Sequence, residues 1–216
     1  YRKDASHMHG PAGVVCLPES TEEVQACVLI ANEHGVAFIP RGSGTGLAGG
    51  AVPLGGEVVI VLTKMNRVLG VDAANRRAWV PPGVLNLDLS RHVEHLGLHF
   101  APDPSSQQTC SIGGNIANNS GGPHCLAEGV TAAHVHAIEV VLPDGTLTVL
   151  GGEDPEPDGY DLRGAFVGSE GMLGIATAIC VKLTQNPPAV RTLLLDFDTV
   201  EDGAATVSGI IAAGMV

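Results

Sequence analysis

The chain has 216 residues, of which 44% are apolar, and its formal net charge is -12. That length can bury a core as one domain of two lobes, or as one domain with part of another. The acidic balance opposes the counterion release on which nucleic-acid binding depends, and no apolar run approaches the roughly 20 residues of a membrane span. Composition therefore predicts a soluble protein and excludes nucleic-acid partners and a membrane span.

The cysteines predict reduced thiols in a cytosolic protein. Their number is odd and none of them forms the C-x-x-C pair that starts many zinc and iron-sulfur sites. The nine histidines show no metal-ligand spacing either. No metal site is predicted. The five cysteines are Cys16, Cys27, Cys110, Cys125 and Cys180.

A β-α-β unit is predicted at the start of the chain. A strand over Val14–Leu17 is followed by Ser20, which forms a capping box with Glu23 for a helix over Thr21–His34. A second strand covers Val36–Ile39. The crossover predicts that the two strands are parallel and adjacent, with the next loop leaving the carboxyl end of a strand, where open α/β sheets bind ligands.

The middle of the chain alternates strands, one helix and a long loop. Strands are predicted over Val58–Leu62, Val68–Val71 and Arg77–Val80, and an amphipathic helix over Asn86–His95. From Ala101 to Gly129 the residues predict a turn-rich loop. A loop of that length inside a compact domain indicates function when apolar residues interrupt it.

A hairpin opens the last part of the domain. Strands over Val135–Leu142 and Thr146–Leu150 are joined by the turn Pro143-Asp144-Gly145. A short helix over Leu162–Phe166 and a strand over Ile175–Leu183 follow. The acidic residues between Gly152 and Leu162 lack calcium-loop spacing and predict a solvated hairpin edge rather than a cation site. These are Glu153, Asp154, Glu156, Asp158 and Asp161.

Pro187-Pro188 marks a predicted domain boundary. Beyond it we predict a strand over Val190–Phe197 and a helix over Val200–Ala213. Because one strand and one helix do not make a domain, the chain is interpreted as a fragment. The predicted domains are residues 1–186 and the start of a second domain over residues 187–216.

The glycine loop, residues 40–50, is the strongest functional signal. Five glycines in nine positions leave backbone N–H groups uncovered, so that they can converge on phosphate oxygens as a nest. Arg41, Ser43 and Thr45 lie beside them. The loop predicts a phosphorylated ligand, and the alternative is a solvent-exposed flexible loop.

The same loop satisfies the G-x-G-x-x-G pattern of dinucleotide-binding folds at Gly44, Gly46 and Gly49. That pattern requires a helix to open inside it. Gly50 and Pro53 cannot sustain a helix there. No nicotinamide dinucleotide is therefore predicted.

Two later stretches share the chemistry of the glycine loop: residues 102–122, with Gly113-Gly114-Asn115 at their centre, and residues 168–175. In this order the three stretches resemble the FAD-binding domain of the PCMH-type, or vanillyl-alcohol oxidase, flavoproteins, and most closely the glycolate oxidase group, which includes D-lactate and D-2-hydroxyglutarate dehydrogenases. The resemblance covers Pro11–Thr184. It implies an α+β fold of two α/β lobes, a small parallel β-α-β lobe and a mixed or antiparallel sheet with helices.

The resemblance also implies where FAD lies. The diphosphate is expected against the glycine loop, the isoalloxazine ring and ribityl chain beside residues 103–106 and 113–121, and the adenosine near Glu170. The implied cofactor-binding residues are Pro40, Arg41, Gly42, Ser43, Gly44, Thr45, Gly46, Leu47, Asp103, Ser105, Ser106, Gly113, Gly114, Asn118, Asn119, Ser120, Gly121, Glu170, Gly171 and Ile175.

Thr45 and His124 bear on how FAD is held and used. Members of the family that attach flavin covalently through this loop carry a histidine where this chain has Thr45, so noncovalent FAD is expected. His124 lies in a Pro-His-Cys-Leu stretch that resembles the same group. It is a candidate catalytic residue near the flavin, or equally a turn residue whose hydrogen bonds are satisfied.

The implied activity is that of an FAD-dependent dehydrogenase or oxidase that converts a 2-hydroxy acid, of the glycolate or D-lactate type, to the 2-keto acid. Its catalytic base is expected in the second domain, so this fragment alone is expected to be inactive. One alternative is a non-catalytic flavin-binding or assembly subunit. Another is the same fold acting on a sugar, an alditol or an ether-lipid precursor.

The resemblance implies two partner proteins, a homologous flavin subunit and an iron-sulfur subunit. The expected location is the cytoplasm, with partners holding the protein at the periphery of the inner membrane.

Overall fold

The computed structural model describes residues 1–152 and 159–214. It divides into two compact units, Tyr1–Gln185 and Asn186–Val216. Four of the five residues of the predicted acidic hairpin edge, Glu153 to Asp158, lie outside the described residues. The assignment of the second unit to a substrate domain stays a prediction.

The first lobe is a small parallel sheet with one helix. It consists of β1 (Val14–Cys16), α1 (Thr21–Glu33), β2 (Phe38–Arg41) and β3 (Val58–Val61). β3 lies between β1 and β2 and is parallel to both. The parallel direction was predicted correctly, but the adjacency of β1 and β2 was wrong. The continuously apolar β3 is buried and takes the central position, as such strands do in parallel sheets.

α1 begins as predicted. Its N-cap Ser20 accepts a hydrogen bond from the backbone N–H of Glu23 at 3.3 Å. The Glu23 carboxylate in turn accepts from the N–H of Glu19 at 2.7 Å. Val24 and Val28 face the core and are fully buried.

The second lobe is a five-stranded antiparallel sheet in the order β4-β5-β9-β7-β8, with helices packed on it. A two-stranded sheet pairs β6 with β10. The remaining elements of the first unit are β4 (Gly70–Asp72), β5 (Arg77–Val80), α2 (Asn86–Val93), β6 (Leu98–His99), α3 (Ile112–Asn118), α4 (Cys125–Glu128), β7 (Val135–Val141), β8 (Leu147–Gly151), α5 (Leu162–Phe166), β9 (Ile175–Lys182) and β10 (Thr184–Gln185).

The hydrophobic core joins the two lobes. Its larger part packs Leu89 of α2 and Ile112 and Ile116 of α3 against the five-stranded sheet. Its smaller part packs α1 and β3 against Val141 of β7 and Ile175 of β9. The glycine loop leaves β2 beside this junction.

The predicted loop over 101–129 was wrong in part, because α3 and α4 form within it. Gly113 and Gly114 have poor helix propensity, which hid α3 from the sequence. Burial of Ile112 and Ile116 stabilises that helix instead. The strand predicted over Val68–Val71 begins two residues later, at Gly70.

The second unit contains α6 (Val200–Ala212), whose N-cap Thr199 accepts from the N–H of Asp202 at 3.1 Å. The strand predicted over Val190–Phe197 was wrong, since those residues belong to no sheet among the described residues. Across the described part of the chain, no helix is both long and apolar enough to cross a membrane.

Candidate functional site

The three glycine-rich stretches line one cavity of about 400 Å³. The glycine loop forms one wall, α3 and the turn before it form a second, and residues 170–176 form a third. Stretches that are more than forty residues apart in the sequence therefore meet at the junction of the two lobes. The cavity lies at the carboxyl end of β2, where a parallel sheet is expected to bind its ligand.

The Arg41 side chain holds the glycine loop closed. Its Nη1 donates to the carbonyl oxygen of Ala51 at 3.0 Å and its Nη2 to that of Lys3 at 2.8 Å. Burial lowers the pKa of the guanidinium, although the nearby Asp4 carboxylate acts in the opposite direction. Gly44 has a φ of +74°, and a Cβ there would overlap the guanidinium. Arg41 therefore shapes the loop through its side chain.

The glycine loop carries a row of available backbone donors. Within the described chain, no N–H group from Ser43 to Ala51 donates a hydrogen bond to another protein atom. Gly46 faces open space, since a Cβ there would meet only Asn118 Oδ1, at 3.9 Å. No helix forms between residues 42 and 50, as the sequence predicted. These donors suit phosphate oxygens.

α3 is fixed closely against the neighbouring loops at its start. The N-cap Ser111 accepts from the N–H of Gly114 at 3.3 Å. Gly113 donates to the carbonyl oxygen of Pro82 at 2.9 Å, and a Cβ on Gly113 would lie 2.6 Å from Pro82 Cβ. A Cβ on Gly42 would lie 2.6 Å from Ser111 Oγ. Glycine is thus required where the glycine loop, α3 and Pro82 meet.

A buried amide pair lies behind this contact. Asn86 Nδ2 donates to Asn115 Oδ1 at 2.9 Å and to the carbonyl oxygen of Pro102 at 2.9 Å. Both asparagines are almost completely buried. The pair fixes α3 to α2 and to the loop that follows β6.

The third wall is attached to the other end of α3. The N–H of Glu170 donates to the carbonyl oxygen of Ala117 at 2.8 Å. The Glu170 carboxylate lies 3.2 Å from the position a Cβ would take on Gly50. A Cβ on Gly171 would lie 2.6 Å from Pro40 Cγ. The seven residues of α3 thus span about 10 Å between the two ends of the cavity.

The residues present fit FAD. The cavity volume lies in the range of small-molecule and cofactor sites, roughly 300–1,000 Å³. Uncovered amides offer donors for a diphosphate, and glycines let a flat ring approach the backbone. Leu62, Ile116 and Phe166 supply apolar walls. In residues 1–152 and 159–214, no group of three or more potential metal-ligating side chains could hold a metal ion.

Most of the predicted cofactor-binding residues line the cavity, and four do not. Asp103, Ser105, Asn119 and Gly121 lie outside the lining. The predicted residues that do line it are Pro40, Arg41, Gly42, Ser43, Gly44, Thr45, Gly46, Leu47, Ser106, Gly113, Gly114, Asn118, Ser120, Glu170, Gly171 and Ile175.

Two of the residues outside the lining support loops. Asn119 is left-handed, with a φ of +46°, and its Oδ1 accepts from the N–H of Ala132 at 2.9 Å. Gly121 packs against Cys125, where a Cβ would overlap the sulfur atom.

Asp103 and His124 form a hydrogen-bonded pair outside the cavity lining. His124 Nδ1 lies 2.5 Å from Asp103 Oδ2, and the imidazole side chain is 72% exposed. Gly122 packs directly against Asp103. The pair ties the loop after β6 to the loop after α3. His124 as a catalytic residue stays a prediction.

Sequence reasoning missed several lining residues, among them Asp4, Leu62, Pro82, Ser111 and Phe166. Ser111 carried a signal, since it is a serine three residues before Gly114 and directly before the apolar Ile112. Asp4 carried none, because the segment of residues 1–10 shows no periodic pattern.

The chain is similar in sequence to known flavoprotein relatives. The chain is 45% identical over 203 residues to the glycolate oxidase subunit GlcD of Escherichia coli (strain K12), covering 94% of this chain and 41% of that protein. It is 40% identical to a D-lactate dehydrogenase of Anaerostipes hadrus, covering 96% of this chain and 44% of that protein. The chain thus spans less than half the length of these curated relatives.

Among solved structures, an alkyldihydroxyacetonephosphate synthase matches with a TM-score of 0.79 and 26% sequence identity, over 93% of this chain and 40% of that one. A sequence model described as the FAD binding domain matches residues 11–151. The cofactor is therefore FAD, and the chain belongs to the FAD binding domain family.

Proposed function

We propose that this chain is the FAD-binding part of a flavoprotein dehydrogenase or oxidase that converts a 2-hydroxy acid of the glycolate or D-lactate type to the 2-keto acid. The convergence of three glycine-rich stretches on one cavity carries the proposal. The similarity to a glycolate oxidase subunit and to a D-lactate dehydrogenase supports the substrate class. The chain spans only part of those relatives, so the activity and the substrate class are proposed for the longer protein.

In this proposal the chain binds and orients the cofactor. The N–H groups of Ser43 to Leu47 hold the diphosphate, since no described protein atom accepts from them. Ser106 and Gly114 lie beside the ring and the ribityl chain. Glu170 and Ile175 lie at the adenosine end. The glycines let the cofactor contact the backbone, and the apolar core behind Ile175 excludes water from that wall.

The chemistry that FAD supplies when bound is acceptance of the α-hydride at flavin N5, while the hydroxyl proton goes to a base, so that the alcohol becomes a ketone. The base and the groups that bind the substrate carboxylate are assigned to the part of the relatives that this chain does not span. Among the described residues, His124 is the catalytic candidate that the sequence indicated. It lies four residues after Ser120.

Noncovalent attachment is part of the proposal. Thr45 lines the cavity at the position where covalent members carry histidine, and a threonine hydroxyl cannot form the 8α-histidyl bond. Flavin should therefore pass an ultrafiltration membrane after the loaded protein is denatured. Flavin that stays on the denatured chain would contradict noncovalent binding.

The test of function has two stages. The purified chain is first titrated with FAD, following the quenching of flavin fluorescence. A longer protein, which also contains the part that the relatives have beyond this chain, is then mixed anaerobically with glycolate, D-lactate or D-2-hydroxyglutarate. The flavin absorbance at about 450 nm is followed in each case. Bleaching by a 2-hydroxy acid supports catalysis. Bound FAD that no substrate bleaches would favour a flavin-binding assembly subunit instead.

A sugar, an alditol and an ether-lipid precursor complete the substrate panel. The structural similarity to an alkyldihydroxyacetonephosphate synthase is the observation that makes the last of these worth testing. The partner subunits of the proposal are a homologous flavin protein and an iron-sulfur protein, in the cytoplasm at the inner membrane. Co-purification of either with the longer protein tests that part.

A further inference from the structure

The segment of residues 1–10 lies outside the matched family region, which begins at residue 11, yet it contributes to the cavity. Lys3 and His9 form an antiparallel bridge, and the N–H of Gly10 donates to the carbonyl oxygen of Arg2 at 2.9 Å. This folded segment is fixed to the glycine loop, because Arg41 Nη2 donates to the carbonyl oxygen of Lys3. Its position is therefore defined by the same guanidinium that closes the loop.

Asp4 projects from this segment into the cavity lining. Its Oδ1 accepts from the N–H of Ser6 at 2.8 Å and from the Ser6 hydroxyl at 2.5 Å. Its Oδ2 is buried and has no hydrogen-bond partner. A buried carboxylate oxygen without a donor is costly, and such groups usually mark a missing partner. Oδ2 therefore calls for a donor from a ligand.

The chemistry of the site limits what that donor is. Arg41 uses one N–H of each terminal nitrogen for the carbonyl oxygens of Ala51 and Lys3. No described protein group donates to Asp4 Oδ2, and phosphate oxygens at neutral pH offer no donor to a carboxylate. A sugar hydroxyl does, and acidic side chains bind ribose hydroxyls in other dinucleotide sites. The positive guanidinium of Arg41 offsets the repulsion between the Asp4 carboxylate and a nearby diphosphate.

The position of Asp4 indicates which hydroxyl group of FAD is the donor, namely one on the ribose of the adenosine half. Arg41 bridges Lys3 to Ala51, and the adjacent Gly50 packs against the Glu170 carboxylate. Asp4 is thus linked through Arg41, Ala51 and Gly50 to Glu170, the residue at the proposed adenosine end of the cavity. We propose that Asp4 Oδ2 accepts a hydrogen bond from a ribose hydroxyl of the adenosine half of FAD, an inference that rests on the proposed function.

The test measures dissociation constants of FAD and of ADP, which carries the ribose and the diphosphate without the flavin or the ribityl chain. Asp4→Asn should weaken both ligands by about tenfold or more, the loss expected for a hydrogen bond to a charged group. The matched control Asp88→Asn removes one exposed carboxylate from α2 outside the cavity lining and should change neither constant by more than about twofold.

The outcomes separate the two proposals. An unaltered FAD affinity in Asp4→Asn would overturn the assignment of Asp4 while leaving FAD binding intact. A loss for FAD without a loss for ADP would also overturn it, because the hydroxyl would then belong to the ribityl chain. Failure of the unsubstituted protein to bind FAD would instead contradict the proposed function.

A second measurement needs no substitution, in case Asp4→Asn does not fold. Amide hydrogen exchange of the unsubstituted protein, with and without saturating ADP, should show slower exchange over residues 3–6 in the bound state. Exchange there that ADP leaves unchanged, while exchange in the glycine loop slows, would refute the contact.

Discussion

Arg41 Nη1 donates to the carbonyl oxygen of Ala51 at 3.0 Å, so that one side chain joins the two ends of the glycine loop. The loop between them supplies backbone donors that no described protein atom uses. A loop held in its binding shape before the ligand arrives loses less conformational entropy on binding. By holding the loop in one shape, the guanidinium is expected to support cofactor affinity.

We expect Arg41→Lys to weaken FAD binding by about tenfold and to lower the free energy of unfolding by about 2 kcal/mol, because a lysine amine cannot reproduce the two-pronged contact of a guanidinium. Fluorescence titration and chemical denaturation measure the two effects. Arg91→Lys, at an exposed position on α2, is the control and should leave both unchanged. Normal FAD affinity in Arg41→Lys would show that the loop does not depend on this side chain.

Two glycines of the cavity wall should respond differently to alanine. A Cβ on Gly46 enters the open cavity, so Gly46→Ala should fold with unchanged stability but bind FAD more weakly, by about tenfold or more. A Cβ on Gly113 would lie 2.6 Å from Pro82 Cβ, so Gly113→Ala should lower the free energy of unfolding itself, by about 1–3 kcal/mol.

Gly70→Ala is the control for both variants, because no atom lies within 4 Å of a Cβ at that position and Gly70 lies outside the cavity lining. Denaturation curves without FAD, compared with FAD titrations, separate the two effects. Equal loss of stability in Gly46→Ala and Gly113→Ala would contradict the assignment of Gly46 to the ligand side of the wall.

The parts of the fold that the sequence could predict are those determined by residues close together in the chain. The glycine loop, the β-α-β unit and the hairpin over Pro143–Gly145 follow from local chemistry, since capping, turn residues and apolar spacing act over a few positions. α3 did not follow, because Ile112 and Ile116 stabilise it through burial against distant strands. The central place of β3 likewise depends on which strand is most buried in the folded sheet.

The candidate site, too, could be predicted only where local residues determine it. Glycines indicated the walls of the cavity, because only glycine fits where backbones meet closely. The sequence could not show that Arg41 turns back to Ala51, or that Asp4 reaches the cavity from a segment without periodicity, because both depend on how distant segments pack.

Substitution of His124 can distinguish a structural role of this residue from a catalytic one. Its imidazole is 72% exposed and its described partner is Asp103, outside the cavity lining. Since one hydrogen bond contributes about 1 kcal/mol, His124→Gln should lower the free energy of unfolding by no more than that and leave the FAD dissociation constant within about twofold. The longer flavoprotein should then be reduced by substrate at an unaltered rate.

A reduction rate that falls by about a hundredfold in His124→Gln, with normal FAD binding, would contradict the structural role and favour general acid or base chemistry. Asp103→Asn is the companion variant. If the pair only ties two loops, both substitutions should have the same small effect.

His134 makes the stability of the domain depend on pH. Its ring is buried, packs edge-on against Phe100 with ring centroids 6.2 Å apart, and places Nε2 2.8 Å from the carbonyl oxygen of Glu128. Nδ1 is buried without a partner. Burial lowers the pKa of this imidazole from its ordinary value of 6.5, although the hydrogen bond to Glu128 opposes the shift. The folded protein therefore holds His134 neutral.

As the pH falls below about 6.5, the unfolded chain takes up a proton at His134 that the folded chain does not. The stabilising contribution is complete above that pH and is lost as the pH falls toward the lowered pKa of the folded state. The free energy of unfolding, measured by urea denaturation at pH 7.5 and pH 5.5, should fall more steeply in the unsubstituted protein than in His134→Gln. The control His95→Gln, at an exposed position, should keep the steeper dependence of the free energy of unfolding on pH. If this dependence were equally steep in all three proteins, a group other than His134 would be responsible for it.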